Sequence, residues 1–448
     1  MFRTTRLIAL ALAAATMTGS THAQGLFIVD DDGGPGVFAT EIQPAIDAAA
    51  PGSTILVREG DYSHFRIFNK GMKVVAVEGD EVRVHFVDEH GIHVENVPSF
   101  QSVVLRGLDV VPDDATGISG FDWGLYVKVA QGPVLVEDCS IGGKEGWNTS
   151  LGSITRGQDA AWVMNSWAVT FVRCEIIGGS GADTLDAVPG PTQEYPPGRG
   201  GWGLYVQDST AYLYDSTFEG GHGGSVLAPG NTYAWDGADG QSGLIAQGTS
   251  FVYASGCTYV GGDGGQGMAD VAPATCGDGG DADHGLHVVT ATVEFLDLDS
   301  TAIAGVAGAP GCASGSAGVS AQGIEVLAGD YSALAGTAHG VEIDATVESG
   351  GAVTIELRGE PGEMAFLLVG FAPLAQWSQG LMGMLMPKSP LVIALGPMPV
   401  SGTMSLPLPI ADVPVSTATM FLQGAFQAAD GSAVLGAPSA LTVFNTSL

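Results

Sequence analysis

Apolar and polar positions along this chain recur as a compact unit, not as long amphipathic stretches. The clearest copy is residues 203–224, GLYVQDSTAYLYDSTFEGGHGG: a glycine-led apolar tetrapeptide, a short polar turn, an alternating aromatic run and a Gly-Gly stop. Residues 124–146 and 243–265 repeat the design, and looser copies begin at Gly91, Ala161, Gly285 and Gly323. Successive starts are 33, 37, 42, 40, 42 and 38 residues apart. Alternation over four or five residues, bounded by Gly, Asp or Asn, predicts short strands. A repeat of this length predicts stacked units that bury one shared core. A seven-bladed propeller has a similar period, but a blade needs four strands and each repeat shows two.

Upstream, residues 54–57, 65–68, 73–77, 82–87 and 92–97 read as strand after strand, at intervals of roughly ten residues. Before them Thr40 is placed to cap a brief helix over residues 41–50, with Pro44 tolerated in its first turn and Pro51-Gly52 ending it. The run Ile42-Gln43-Pro44-Ala45-Ile46-Asp47-Ala48-Ala49, then Pro51-Gly52-Ser53-Thr54-Ile55-Leu56-Val57, then Gly60-Asp61-Tyr62, resembles the entry of right-handed parallel β-helix proteins of the pectin-lyase-like group. There a helix caps the first coil and a G-D-T-I-x-V strand follows; Ser53 stands here where that group usually carries Asp. The resemblance covers about residues 26–345. It implies the fold and leaves activity open, since the group spans lyases, hydrolases, esterases, epimerases, adhesins and non-catalytic proteins.

The expected fold is therefore all-β: a right-handed parallel β-helix solenoid with an N-terminal capping helix over residues 24–346, then a small C-terminal β-sandwich over 347–448. From Gly124 the coils lengthen, each spending fifteen to twenty residues in a Gly-rich loop such as 220–240, and the loops should pile onto one face. The C-terminal part, rich in Leu, Met and Pro, lacks the Gly-Leu unit. Its strands are expected at 366–369, 391–395, 404–408 and 419–423, and its role at the open end of the helix, as a cap, or in attachment to a surface.

Residues 1–23 carry Arg3 and Arg6, an apolar run over 7–15 and a Thr21-His22-Ala23 cleavage pattern, which predicts a secretory signal peptide. No later run is long enough for a transmembrane segment. The expected protein is a secreted monomer, extracellular or at the cell surface. Its 15 Lys and Arg stand against 48 Asp and Glu, for a net charge of −33. Such a surface repels nucleic acid and anionic lipid. No Lys or Arg occurs between Arg199 and Arg358.

Five cysteines in an exported chain permit disulfides. Cys276 and Cys312 lie in Gly-rich loops of consecutive repeats and are expected to pair. Counted back from the Gly-Gly stops, Cys174, Ser216 and Cys257 share one repeat position and Cys139 falls one place off, a column expected in the stacked interior. His90-Gly91 recurs as His284-Gly285 and His339-Gly340, so these histidines belong to a repeated corner. Neighbouring His85, Asp88, Glu89 and His93 have metal-ligand character, although His90 and His93 would point to opposite faces of a strand.

Six of seven tryptophans fall between residues 123 and 235. Trp123 and Trp202 both precede Gly-Leu-Tyr-Val, and Trp235, Tyr195 and Tyr233 lie in nearby loops. Flat aromatic faces on a long cylinder suit sugar rings. Trp202 and Trp235 are expected to be exposed, with Trp162 and Trp167 in the core. A lyase of the resembled group uses an Arg or Lys base with bound Ca²⁺. The middle coils offer Lys128, Lys144, Arg156, Arg173 and Arg199, of which Arg199, beside Glu194 and Tyr195, is the best candidate. A polygalacturonase-like hydrolase would need paired aspartates, Gly-His-Gly and Arg-x-Lys. Asp113-Asp114 and Gly221-His222-Gly223 occur, more than 100 residues apart, with no Arg-x-Lys after them. Asp278, Asp281 and Asp283, with Asp263 and Asp270 one loop earlier, place acidic oxygens on Gly-rich turns suited to Ca²⁺; no cofactor is required. The expected role is structural, adhesive or glycan-binding, with a polysaccharide or cell-surface glycan as partner. The alternative is a polysaccharide lyase or glycoside hydrolase.

Overall fold

The computed structural model describes residues 25–87, 89–113, 122–147, 155–183, 196–226, 235–268 and 276–446. The residues of the signal-peptide expectation, together with Asp88, Asp114, Glu194, Tyr195, Tyr233 and Asp270, lie outside them.

Each glycine-led unit forms a strand whose Leu and Val positions point inward. Ile92, Leu125, Ala161, Leu204, Leu244, Leu286 and Ile324 stack in parallel register, and Val94, Val127, Val163, Val206, Ala246 and Val288 form the next inner row. Three strands per coil build three parallel sheets. Sheet A has ten strands, from Leu26–Val29 to Asp330–Leu334. Sheet B has eight, from Gly60–Ser63 to Thr301–Ile303, and sheet C eight, from Phe65–Phe68 to Ile324–Val326. Consecutive coils pair in order, which is a right-handed parallel β-helix and excludes the propeller. One continuous apolar column fills it, from Val29 to Phe295.

Helix α1, Ile42–Ala48, closes the first coil by burying Ile42, Ala45 and Ile46. Its N-cap is Glu41 and not Thr40, and no side chain caps it. The Glu41 carboxylate instead accepts the Ser63 amide at 3.0 Å, tying the helix to sheet B.

The Gly-rich loops do pile onto one side, between sheets B and C, but they are ordered. Their described residues leave sheet B as one extended segment and come back to sheet C as another, with glycine near every third position and without helix or strand. Their hydrogen bonds run in several directions. Gly181 N donates to His222 O of the next outgoing segment (2.8 Å), Gly157 N to Arg199 O of the next returning one (2.8 Å), and Gly221 N to Gly201 O between the two kinds (2.8 Å). A three-residue repeat without internal hydrogen bonds is the geometry of polyproline II, which packs closely only where every third residue lacks a side chain. A Cβ at Gly181 would lie 1.8 Å from the Gly198 carbonyl oxygen.

Beyond Leu334 the chain forms sheet D, eight curled strands that include Gly340–Glu342, Ala352–Arg358, Met364–Gly370, Leu391–Pro397, Thr403–Pro409, Thr417–Gln427 and Ala433–Phe444. The changeover thus precedes residue 347. His339-Gly340 opens sheet D and is no coil corner; His339 Nε2 pairs with Glu363 at 2.7 Å. Sheet D packs on the flank of sheet A and does not cap the helix, correcting that expectation. Tyr212, Tyr214, Tyr253 and Leu298 of sheet A meet Met384, Met386, Phe421 and Ala440 in a second buried cluster. These tyrosines bury large apolar area, and their hydroxyls find partners on the hairpin Pro373–Ser378/Gly383–Pro387, as in Met384 N to Tyr214 Oη (3.2 Å).

Candidate functional site

The outward position of the Gly-Leu-x-Val unit carries rings on sheet C. Alternation sends Tyr126, Trp162 and Tyr205 out while Leu and Val go in, and parallel register aligns them with His93 on one side and Ile245 on the other. The rings stack on one another: His90 on Trp123 (4.7 Å), Trp123 on Trp162 (4.4 Å), Trp162 on Tyr205 (4.3 Å). Trp162 therefore lies on the outer flank, not in the core. Trp123, Tyr126 and Tyr205 are buried by this mutual cover, and Trp202 is half-buried against Tyr205 at 5.1 Å. Beneath them Asp159 is fully buried. It accepts Trp162 Nε1 at 2.8 Å and the Trp202 amide at 2.9 Å, and burial pushes its pKa up despite Arg156 3.5 Å away. Its structural role was not legible in the sequence.

Exposed rings occur elsewhere, at the corner where sheet C turns into sheet A. Phe100 is 84% exposed and Trp167 71% exposed, in the second and fourth turns of one column, with exposed Gln131 in the turn between them. The turns are bonded layer to layer, Gln131 N to Val97 O (2.8 Å) and Trp167 N to Ala130 O (2.9 Å). The corner is held by left-handed residues, Asn69, Asn96, Val129 and Asn165, with φ of 57°, 56°, 53° and 49°. Asn tolerates that conformation well. Phe68, one coil earlier, adds a partly exposed ring under the Arg66 guanidinium, 4.5 Å from its centroid. Trp167 is thus a surface residue, contrary to the core expectation.

The basic residues of the middle coils are each engaged. Arg173 Nη2 meets the fully buried Glu137 at 2.6 Å and its Nε meets Asp138 at 2.7 Å. Arg106 joins the same carboxylates and donates to the carbonyls of Ala440 in sheet D and of Ile343, just past the strand Gly340–Glu342. Lys144 Nζ donates to Val87 O at 2.6 Å and lies 4.5 Å over the Trp147 ring. Lys128 sits 6.0 Å over Tyr126. Arg199 is exposed and pairs with Asp239 at 3.0 Å. Lys73, lowered by burial to about 8, donates to Gly52 O at 3.1 Å.

The acidic residues of the Gly-rich segments link layers. Asp236 accepts the Asp278 amide (2.7 Å), Asp278 accepts Ser316 N (2.6 Å), Asp239 accepts Asp281 N (3.1 Å) and Asp281 accepts Val319 N (2.7 Å). Asp283 is raised by burial and accepts the His284 amide at 2.7 Å. Asp278, Asp281 and Asp283 therefore serve separate hydrogen bonds. Among the described residues no group of three His, Cys, Asp or Glu is placed to hold a metal ion.

Near the capped end, on the outside of sheet B, His85 is held between Asp61 (Nε2, 2.9 Å) and Asp113 (Nδ1, 2.8 Å). The Asp61 hydrogen bond is the chief cause raising its pKa. His64 and Glu89, 3.2 Å apart, complete an open cavity of about 460 Å³. Asp113 thus partners a histidine, while Gly221-His222-Gly223 lies in the glycine bundle.

Of the remaining sequence candidates, Trp235 is half-buried in a returning segment, its carbonyl accepting Met268 N at 3.1 Å. Cys276 and Cys312 face each other with Cα atoms 5.7 Å apart, within disulfide range. Cys139, Cys174 and Cys257 are buried free thiols. The strand register following them places Cys139 in the same column as Cys174, Ser216 and Cys257, so it is not offset. No helix of the described residues is long and apolar enough to cross a membrane. No protein-family model matches the chain, and no curated protein is similar to it in sequence.

Proposed function

We propose that this chain is an exported, non-catalytic β-helix scaffold, akin to the pectin-lyase-like group, that binds polysaccharide through flat rings on the corner between sheets C and A. The observation that carries this reading is the pair Phe100 and Trp167, both largely exposed and two turns apart on one rigid column. Adjacent coils are one strand spacing apart, so the rings are separated by about 10 Å along the cylinder. Large rings left in water on one column, with Phe68 a coil earlier, are what a contact surface would present. Sugar rings match them with an apolar face, while Gln131 offers an amide between them. The net charge of −33 favours a neutral glycan over a polyuronate, which would need Ca²⁺ as a bridge. A non-catalytic role fits the engagement of Lys144, Arg156, Arg173 and Arg199 in pairs and hydrogen bonds.

The alternative, a polysaccharide-active enzyme, draws on one feature, the cavity around His85 with its flanking carboxylates. A panel of neutral and acidic polysaccharides, with Ca²⁺ and with chelator, separates the two by following bound protein and polymer length together. Binding without shortening supports the scaffold; shortening establishes the enzyme and sinks the non-catalytic reading.

A further inference from the structure

The two ends of the solenoid differ. Helix α1 closes the first coil with its apolar side inward and Gln43 and Asp47 at its surface, where they bond each other at 2.8 Å. At the other end Thr301–Ile303, Ile324–Val326 and Asp330–Leu334 are the last strands of sheets B, C and A, each paired on one side only among the described residues. Sheet D lies on the flank of sheet A, where Leu334 packs against its cluster, and these last strands remain largely exposed. A terminal repeat exposed to water ordinarily turns a polar face outward. This one exposes Ile303, Val306, Val319, Val326 and Leu327.

Charge is also sparse there. Residues 301–335 contain no Lys or Arg and only Glu325 and Asp330 as acids, in a chain of net charge −33. Two copies of so acidic a protein repel each other over much of their surface, and less at this end. Small residues dominate the final coil, so backbone edges can approach closely. The unfilled hydrogen bonds of parallel edge strands are satisfied most directly by another strand edge.

We propose that the final coils of two copies of this chain dock end to end across a two-fold axis, in place of the monomer expected from the sequence. The capped first coil offers no complementary edge, so a head-to-tail fibre cannot propagate and the assembly closes at two. Val319, Val326 and Leu327 form the apolar centre of the contact, and the open strands of sheets B, C and A meet their counterparts around it.

The test is the molar mass of the full chain by light scattering and sedimentation over a range of concentrations, beside Val319→Gln/Leu327→Gln and a control, Val392→Gln, on the exposed face of sheet D. The expected result is a dimer for the parent and the control, with association weakened at least tenfold, toward monomer, in the double variant. These side chains are exposed, so folding is checked by an unchanged far-ultraviolet circular dichroism spectrum and a cooperative melt, since loss of a dimer by itself lowers Tm. Should the double variant misfold, hydrogen exchange of the parent takes its place: amides of 324–327 must gain protection as concentration rises. A parent that stays monomeric, a dimer indifferent to the double substitution, or exchange independent of concentration would each overturn the proposal.

Discussion

Arg173 and Glu137 form an ion pair of 2.6 Å in which the carboxylate is wholly buried, at the seam between sheet A and sheet D. The pair is completed by Ser439 and the Ala440 amide, more than 300 residues later in the chain than Glu137. Sheet D is therefore fixed to the solenoid by charge as well as by the Tyr214 and Tyr253 contacts. Removing one member of a buried pair leaves the other uncompensated, at a cost of roughly 3–5 kcal/mol. Glu137→Ala is expected to lower stability by that order, read in denaturant unfolding. Glu137→Ala combined with Arg173→Met should recover part of the loss. Equal stability of Glu137→Ala and the parent would refute the clamp.

His85 is the pH-sensitive group of the capped end. Its folded-state pKa is raised, first by the Asp61 hydrogen bond and then by Asp113, against the opposing effect of burial. A raised value means the contribution is full below the ordinary histidine value of 6.5 and is lost as pH rises through the folded value. The parent should lose stability over that interval relative to His85→Gln, whose curve should be flatter. An NMR titration that placed His85 below 6.5 would contradict the assignment.

Close packing of the glycine segments gives a sharp pair of substitutions. At Gly181 an added Cβ would strike the Gly198 carbonyl at 1.8 Å, whereas at Gly380 nothing lies within 4 Å. Overpacking typically costs about 1–3 kcal/mol, and backbone that cannot yield places Gly181→Ala at or above the upper end. Gly380→Ala should melt within a degree or so of the parent. If both variants melt alike, the segments are loose loops and not a bundle.

The buried thiols should be inert. Burial pushes Cys174 and Cys257 up to about 12, and Cys139 rises for the same reason. Thiol reagent at pH 8 is expected to label none of them until denaturant is added. Unfolding without reductant should then expose three thiols, and unfolding with reductant five, the difference being Cys276 and Cys312. Rapid labelling of the native protein would place the column at the surface.

The solenoid was readable because Leu125 and Val127 sit two apart, and a strand sends such residues to one side. The same alternation placed Tyr126 and Tyr205 outside, but Trp162 escaped because a lone Trp in an apolar run looks like core. Counting from Gly-Gly misplaced Cys139. In the register Gly142 opposes Ile177 within the strand, so the stop there begins at Gly143. The glycine bundle was hidden since its order lies in hydrogen bonds between segments some 40 residues apart, which leave only a period-three trace that also fits a loop. The Arg106, Glu137 and Arg173 clamp depends on sheet D docking on a flank, and no local pattern announces that.

Binding of the parent, Phe100→Ala, Trp167→Ala and the double variant to the polysaccharide that the parent retains most strongly tests the central claim directly, with polymer length followed in the same samples. The rings are exposed, so all four proteins should melt alike. The account predicts that each single change weakens retention about tenfold or more, that the double change abolishes it, and that the polymer keeps its length throughout. Undiminished binding by the double variant, or a shortened polymer, would contradict it.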